Sequence, residues 1–335
     1  MTKPLAKGED SVKKPPEGWL LCPDCGLPLA VGMAALSCPR CRKSFPISKG
    51  VIEMASNEEA SGIDAEATVR QFGDSWQIHS HVAEYHEKQF LDWIAPLTQK
   101  DFEGKYVLEA GCGKGRHSRT VARWSPELLF SVDLSRAVYL AAQNTVEFPN
   151  VHCVRADLLN LPFPENRFDL VFCVGVLHHL ADPEAGLRAL WKCLKPGGRL
   201  CLWVYAREGN GWVVWLVDPI RKGITSRIPT RLLRPIVWPL SALLFMVLKT
   251  IYAPLTKKGE RPFGFLPYSA YLGYISKFPF REIEHIVLDH LCPPIAYYLK
   301  RETLEQWLND LGAKDASFRW HNKNSWNVVA RKEER

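Results

Sequence analysis

The sequence predicts an α/β protein built on a mostly parallel sheet with helices on both faces. Three observations predict it. From Tyr106 onwards short apolar runs alternate with helical patterns, the order expected of parallel strands joined by crossover helices. The first run, Tyr106 to Ala110, leads into Gly111-Cys112-Gly113-Lys114-Gly115, a glycine turn that opens a helix. Glycines at alternating positions let a ligand lie against backbone, because no Cβ blocks the approach. Finally, Glu109 stands before the turn and Asp133 ends the next strand, where an acid suits the two hydroxyls of a ribose. Together these predict a nucleoside-binding crevice at the carboxyl edge of the sheet.

The elements follow in order. Strand 1 is Tyr106 to Ala110, and a helix runs from about Gly115 to Trp124. Strand 2 is Leu128 to Asp133, with Ser135 as cap of the next helix. Strand 3 is Val151 to Asp157 and strand 4 is Phe168 to Val174, followed by a helix from Pro183 to Leu194. Lys195-Pro196-Gly197-Gly198 turns the chain into strand 5, Arg199 to Tyr205. Far downstream, Thr303-Leu304-Glu305-Gln306 reads as a capping box. Leu304, Trp307, Leu308 and Leu311 form that helix's apolar face, and Gly312 stops it. Ala316 to Trp320 and Trp326 to Ala330 read as an antiparallel hairpin turning at Asn322-Lys323-Asn324.

Upstream, Val82, Tyr85, Gln89 and Trp93 repeat at helical spacing within an aromatic- and histidine-rich stretch, Val69 to Ile94, read mainly as core packing. Ala55 to Glu66 is small and acidic, a linker. Met1 to Gly18 is rich in Lys, Pro and Glu, which predicts a disordered tail with no signal peptide. Between them, Cys22-Pro-Asp-Cys25 and Cys38-Pro-Arg-Cys41 are two knuckles separated by twelve residues. That spacing sets four thiolates on a tetrahedron around zinc, and in so short a segment the metal supplies most of the folding energy. The other six of the ten cysteines sit mostly in apolar patterns as small buried hydrophobes, which predicts a reducing, cytoplasmic compartment.

At 335 residues the chain exceeds what one core usually holds. The expected units are a tail over 1–18, a zinc ribbon over 19–54 and a linker with helices over 55–100. The sheet domain takes 101–206 with 301–332, and an insertion takes 207–300. Hydrophobic residues at 47% and charged ones at 24% describe a folded soluble protein. A net charge of +7 is compatible with an anionic partner without demanding one.

With these residues in view, the chain resembles the class I S-adenosylmethionine-dependent methyltransferases. Glu109-Ala-Gly111-Cys-Gly113-Lys-Gly115 resembles their first motif, and Asp133 stands where the family's acid holds the ribose. Arg155-Ala156-Asp157-Leu158 resembles the third motif, whose Asp meets the adenine amino group. Phe168-Asp169-Leu170-Val171, Leu177-His178-His179-Leu180 and Leu194-Lys195-Pro196-Gly197-Gly198 complete the order. The resemblance implies a Rossmann-like seven-stranded methyltransferase sheet with its last strand antiparallel. It also implies S-adenosylmethionine as cofactor, held by Glu109, Gly111, Gly113, Gly115, Asp133, Leu134, Asp157, Leu158 and Val174. The ribbon looks like the small zinc domain found with some bacterial and RNA-modifying methyltransferases, its ligands being Cys22, Cys25, Cys38 and Cys41. A dinucleotide oxidoreductase is disfavoured, because its fingerprint G-x-G-x-x-G needs a third glycine later than Gly115.

Methyl transfer to a hydroxyl or an acidic carbon needs a base. His178 and His179, just after strand 4, either supply it or pack the loop and shape the adenosine pocket. Val174-Gly175-Val176-Leu177 replaces the Asn/Asp-Pro-Pro-aromatic motif of adenine amino methyltransferases, and Cys173 follows Phe172 rather than the proline of cytosine enzymes. In Asp289 to Tyr298, His290, Tyr297 and Tyr298 are candidate acceptor contacts, or else that stretch only fixes a loop. The insertion is apolar and basic, with Trp212, Trp215, Arg221, Arg227 and Arg231 ahead of the uncharged Ile236 to Leu248. That run is shorter than the ~20 residues of a spanning helix, so the expected roles of 212–256 are a lid, a peripheral membrane contact or a dimer face. The expected activity is O- or C-methylation of a small-molecule, glycan or lipid-like acceptor. The alternative is RNA methylation with the ribbon as docking module.

Overall fold

The computed structural model describes residues 13–55, 62–256, 266 and 268–334. Most of the tail, the middle of the linker and residues 257–265 of the insertion lie outside the described residues. The ribbon strands are β1 (Ala30–Val31), β2 (Ala35–Ser37), β3 (Ser44–Ser48) and β4 (Val51–Glu53). Two helices follow, α1 (Ile63–Ile78) and α2 (Tyr85–Ile94). The domain proper holds β5 (Tyr106–Ala110), α3 (Arg116–Ala122), β6 (Leu128–Asp133), α4 (Val138–Asn144) and β7 (Val151–Arg155). It continues with β8 (Phe168–Val174), α5 (Pro183–Cys193) and β9 (Leu194–Tyr205). The insertion supplies α6 (Asp218–Gly223), α7 (Thr230–Val247), α8 (Ala253–Thr256), α9 (Ser269–Ile275) and α10 (Phe280–Leu291). The chain closes with α11 (Arg301–Asp310), β10 (Lys314–His321) and β11 (Ser325–Arg331).

The sheet runs β4-β7-β6-β5-β8-β9-β11-β10 after the ribbon. From β7 to β10 this is the seven-stranded order that the resemblance implies. β5 to β9 pair in parallel, and β11 runs antiparallel to both neighbours. The central strands are buried on both faces, as parallel strands under crossover helices must be. Val107, Leu129 and Phe172 face α2 and α3, whereas Leu108, Phe130 and Val171 face the opposite layer with α5, α11 and Trp19.

The ribbon adds to this sheet instead of standing apart from it. β4 pairs in parallel with β7, Val51 opposite Cys153 and Glu53 opposite Arg155. Trp19 lies 5.1 Å from the Tyr106 ring, 5.6 Å from Phe130 and 5.5 Å from Phe168, with the Arg167 guanidinium 4.5 Å above it.

Three local expectations are corrected. α11 starts at Arg301, before the expected capping box at Thr303, because the Glu208 carboxylate accepts from the Arg301 N–H at 3.0 Å and caps the helix from outside. Ser135 holds a turn, accepting from Ala137 N–H at 3.2 Å, and α4 begins only at Val138. The apolar run of the insertion is longer than its uncharged core: α7, a π-helical turn and α8 form one helix from Thr230 to Thr256. Within its 27 residues the most apolar 18-residue window has a mean hydropathy of 1.8 and is 22% buried, so by length and composition the helix is able to cross a membrane. Length therefore does not exclude a span. What opposes one is packing, since Leu233, Val237, Ser241, Leu248 and Tyr252 are buried along the whole helix.

Candidate functional site

The crevice forms where the carboxyl ends of β5, β6, β7 and β8 meet the insertion. Its floor carries Gly111, Gly113, Asp133, Leu134, Asp157, Leu158 and Val174. Gly111 has φ +81°, and a Cβ there would meet Val176 Cγ2 at 2.3 Å; Gly113 has φ +52°, and its Cβ would lie 3.1 Å from Trp76 Nε1. At both positions the space of a Cβ is taken by protein, the Val176 side chain and the Trp76 ring, so glycine lets these neighbours close on the turn. Asp133 organises that backbone: its carboxylate accepts from Gly113 N–H at 2.7 Å and from Ser135 N–H at 2.8 Å. Asp157 accepts from Leu159 N–H at 2.9 Å. Burial raises both carboxyls above the ordinary range.

Two residues of the expected cofactor set lie beneath the crevice instead of lining it. Glu109 is buried and accepts from the hydroxyls of Ser118 and of Ser131, the latter at 3.0 Å, while burial pushes its pKa up to about 8. Gly115 serves packing, since a Cβ would come 2.6 Å from Ala141 Cα in α4. Lys114, 2% exposed, donates to the carbonyls of His79 (2.6 Å) and His81 (2.8 Å), and burial lowers its pKa to about 7. It ties the glycine turn to the segment joining α1 and α2.

The roof comes from α1, α9 and α10. Trp76 covers Gly113 and lies beneath two cations, Lys114 Nζ at 5.0 Å and the Arg116 guanidinium at 5.3 Å from its centroid. Along α10, Glu282, His285 and Asp289 recur at three and four residues and face the crevice. His285 sits between two carboxylates, 4.0 Å from Glu282 and 3.2 Å from Asp289. Glu282 also accepts from the Tyr85 hydroxyl at 3.0 Å and faces Arg116 at 3.9 Å, and Ser75 donates to Asp289 at 3.0 Å. Trp203 Nε1 lines the same space, buried and without a hydrogen-bond partner among the described residues, a donor left for a ligand or a water.

The expected histidines separate. His178 is fully buried behind the crevice against Tyr205, 4.1 Å between rings, and burial holds it well below its usual pKa. That placement is packing, so His178 is withdrawn as a base. His179 does line the crevice, but its Nδ1 is 2.7 Å from the Ile295 carbonyl and burial drives its pKa down to about 3. His290 lines it too, stacked on Tyr205. Tyr297 points away, its hydroxyl on the Ala181 carbonyl at 3.3 Å, and its neighbour Tyr298 takes the lining position. An extended stretch alternates its side chains, so a one-residue offset exchanges inside for outside. Cys173 is buried with its thiol pushed up to about 12, an inert core residue.

Glu282 and His285 are absent from the sequence reading. Their stripe at 282, 285 and 289 was the available signal, but charge on one helix face ordinarily means solvent; only the fold turns it inward. In the ribbon, the sulfurs of Cys22, Cys25, Cys38 and Cys41 all lie within 4.8 Å of one another, and Cys41 N–H donates to Cys38 Sγ at 3.5 Å.

Residues 108–202 match the family described as a methyltransferase domain. Curated relatives include tRNA U34 carboxymethyltransferases from Sulfurovum sp., 34% identical over 33% of this chain and 38% of the relative, and from Pseudoalteromonas atlantica, 32% identical over 40% of this chain and 43% of the relative. The chain thus spans less than half the length of these relatives. Among solved structures, magnesium protoporphyrin IX methyltransferase from Synechocystis is 14% identical, covering 82% of this chain and all of that one at a TM-score of 0.46. Glycine turn, strand-tip acids, strand order and matched residues agree: the chain carries a methyltransferase domain of the class I S-adenosylmethionine-dependent kind, with a four-cysteine ribbon ahead of it.

Proposed function

We propose that the protein transfers a methyl group from S-adenosylmethionine to an acceptor held between the glycine turn and the α9–α10 roof. The observation that carries this reading is the convergence, in one crevice, of Gly111, Gly113, Asp133 and Asp157 with the α10 stripe. Bound S-adenosylmethionine supplies a methyl group on a cationic sulfur, so the chain has to orient, enclose and manage a proton. Gly111 and Gly113 would admit the cofactor to backbone, Asp133 would accept from the ribose hydroxyls and Asp157 from the adenine amine. Trp76 and the roof exclude water. His285, set between Glu282 and Asp289, is assigned to take the acceptor's proton.

For the acceptor, the aromatic roof of Phe72, Tyr271, Tyr274 and Tyr298 favours a small or lipid-like molecule. An RNA acceptor is the second reading, and the names of the curated relatives favour it. Their similarity spans only 118 to 140 residues and so leaves most of this chain outside the matched region. We also infer that the four cysteines hold one zinc ion: a Zn–S bond of about 2.3 Å implies sulfurs about 3.8 Å apart, and Cys22 and Cys41 are 3.7 Å apart. Cell extract incubated with the protein and a labelled methyl donor tests the acceptor. Label extracted with lipids or small metabolites is expected. Label removed by ribonuclease would give the RNA reading, and no transfer to any fraction would refute the activity.

A further inference from the structure

The helix Thr230–Thr256 is amphipathic in the inverse sense for a surface helix. Its polar-capable side, at Thr230 and Ser241, turns inward with Leu233 and Val237, and its outward side is apolar. Leu232, Ile236, Leu240, Leu243 and Met246 recur at helical spacing and are all more than half exposed, Leu232 at 65%. The preceding helical segment carries further exposed apolar side chains, Trp215 at 77% with Leu216 and Ile224. So long a row of exposed apolar side chains along one helix face marks a binding surface.

Charge identifies the occupant. Between Trp212 and Thr256 the single acidic residue is Asp218, and it is engaged by Arg221 and by Lys222 at 2.8 Å. Arg227 and Arg231 are exposed at the start of the long helix, with no side-chain partner among the described residues. Aliphatic surface, tryptophans at 212, 215 and 238, and cations free of carboxylates form the combination that suits acyl chains below anionic headgroups. A partner protein of ordinary composition would be met by some acid on this face. The inner side of the helix packs on α10 along α7 and on α9 in its last turns, and this packing favours a helix lying in the plane of a bilayer over one crossing it.

We propose that this outer face docks the protein onto an anionic membrane surface, with Trp215, Ile236 and Leu243 in the acyl boundary and Arg227 and Arg231 at the headgroups. α10 carries the crevice stripe on one side and α7 on the other, so docking sets the lid against the bilayer. The inference rests on the surface alone and holds whether or not the acceptor is a lipid.

Vesicle flotation of the full chain tests it without reference to transfer. With vesicles of about one part phosphatidylglycerol to two parts phosphatidylcholine, the protein is expected to float, and to float less with phosphatidylcholine alone. Ile236→Asp with Leu243→Asp should lower the bound fraction at least about tenfold, given the apolar area withdrawn. Arg227→Glu with Arg231→Glu should weaken binding about thirtyfold on the anionic vesicles only. These side chains are exposed, and an unchanged melting temperature with bound cofactor checks that each variant is folded. Failure of the wild-type chain to float with anionic vesicles would overturn the proposal. So would a dimer in light scattering that the apolar pair of substitutions disperses, which would make the face a self-interface.

Discussion

Gly113 has the backbone of a left-handed turn and a tryptophan edge where its Cβ would be. Gly113→Arg therefore strains the turn and fills the crevice, and calorimetry should detect no cofactor binding; wild-type affinity would show the loop wrongly assigned. His285→Ala should lower kcat by about a hundredfold or more, the usual contribution of a positioned proton acceptor, while leaving cofactor binding measurable. An equal loss in binding and turnover would make His285 a packing residue. Gly111, Gly113, Asp133 and Asp157 were legible in the sequence because each depends on its own strand tip and the turn after it. His285 was not, since its role depends on the way a distant helix is laid over the sheet, and the choice of Tyr298 over Tyr297 depends on how an extended stretch is laid there.

At the scale of elements, the ribbon reaches the crevice through a short relay. Glu53, at the end of β4, faces Arg155 at 3.4 Å, and Arg155 donates to the Leu134 carbonyl at 3.0 Å beside the crevice floor. Stripping the metal with a chelator, or Cys38→Ser, should lower the melting temperature and also weaken cofactor binding, measured together by calorimetry. Unchanged cofactor affinity in a ribbon shown to be metal-free would break the relay. Elemental analysis of fresh protein should give one zinc per chain. The strands from Tyr106 to Tyr205 were readable because apolar runs between glycine turns fix them locally. α1 was partly mistaken for a linker because its first turns are small and acidic, and the α11 start was misplaced because its cap comes from Glu208, far away in sequence.

For the whole molecule, buried titratable groups set the response to pH. His79, His86 and His179 have pKa values lowered to about 3, 4 and 3 by burial. Each is held neutral, so its contribution to stability is complete above the unfolded value near 6.5 and is lost as pH falls towards 4. Glu109 acts oppositely: raised to about 8, it contributes below the unfolded value of 4.5 and loses that contribution as pH climbs to 8. Melting temperature should fall on acidification from pH 6.5 to 4, and Glu109→Gln should flatten the alkaline limb between 4.5 and 8. A melting curve flat from pH 7 to 4 would contradict the buried neutral histidines. Neither effect was legible from composition, because burial of these groups is decided by three layers closing together.

The pairing of β4 with β7 has a consequence for quality control in the cell. β7 is buried throughout and ends the parallel sheet, so without β4 its main-chain donors and acceptors would face outward as a template for other chains. A chain lacking the proposed zinc would thus offer this edge to other chains as its cofactor binding weakens, and its abundance would fall with metal supply.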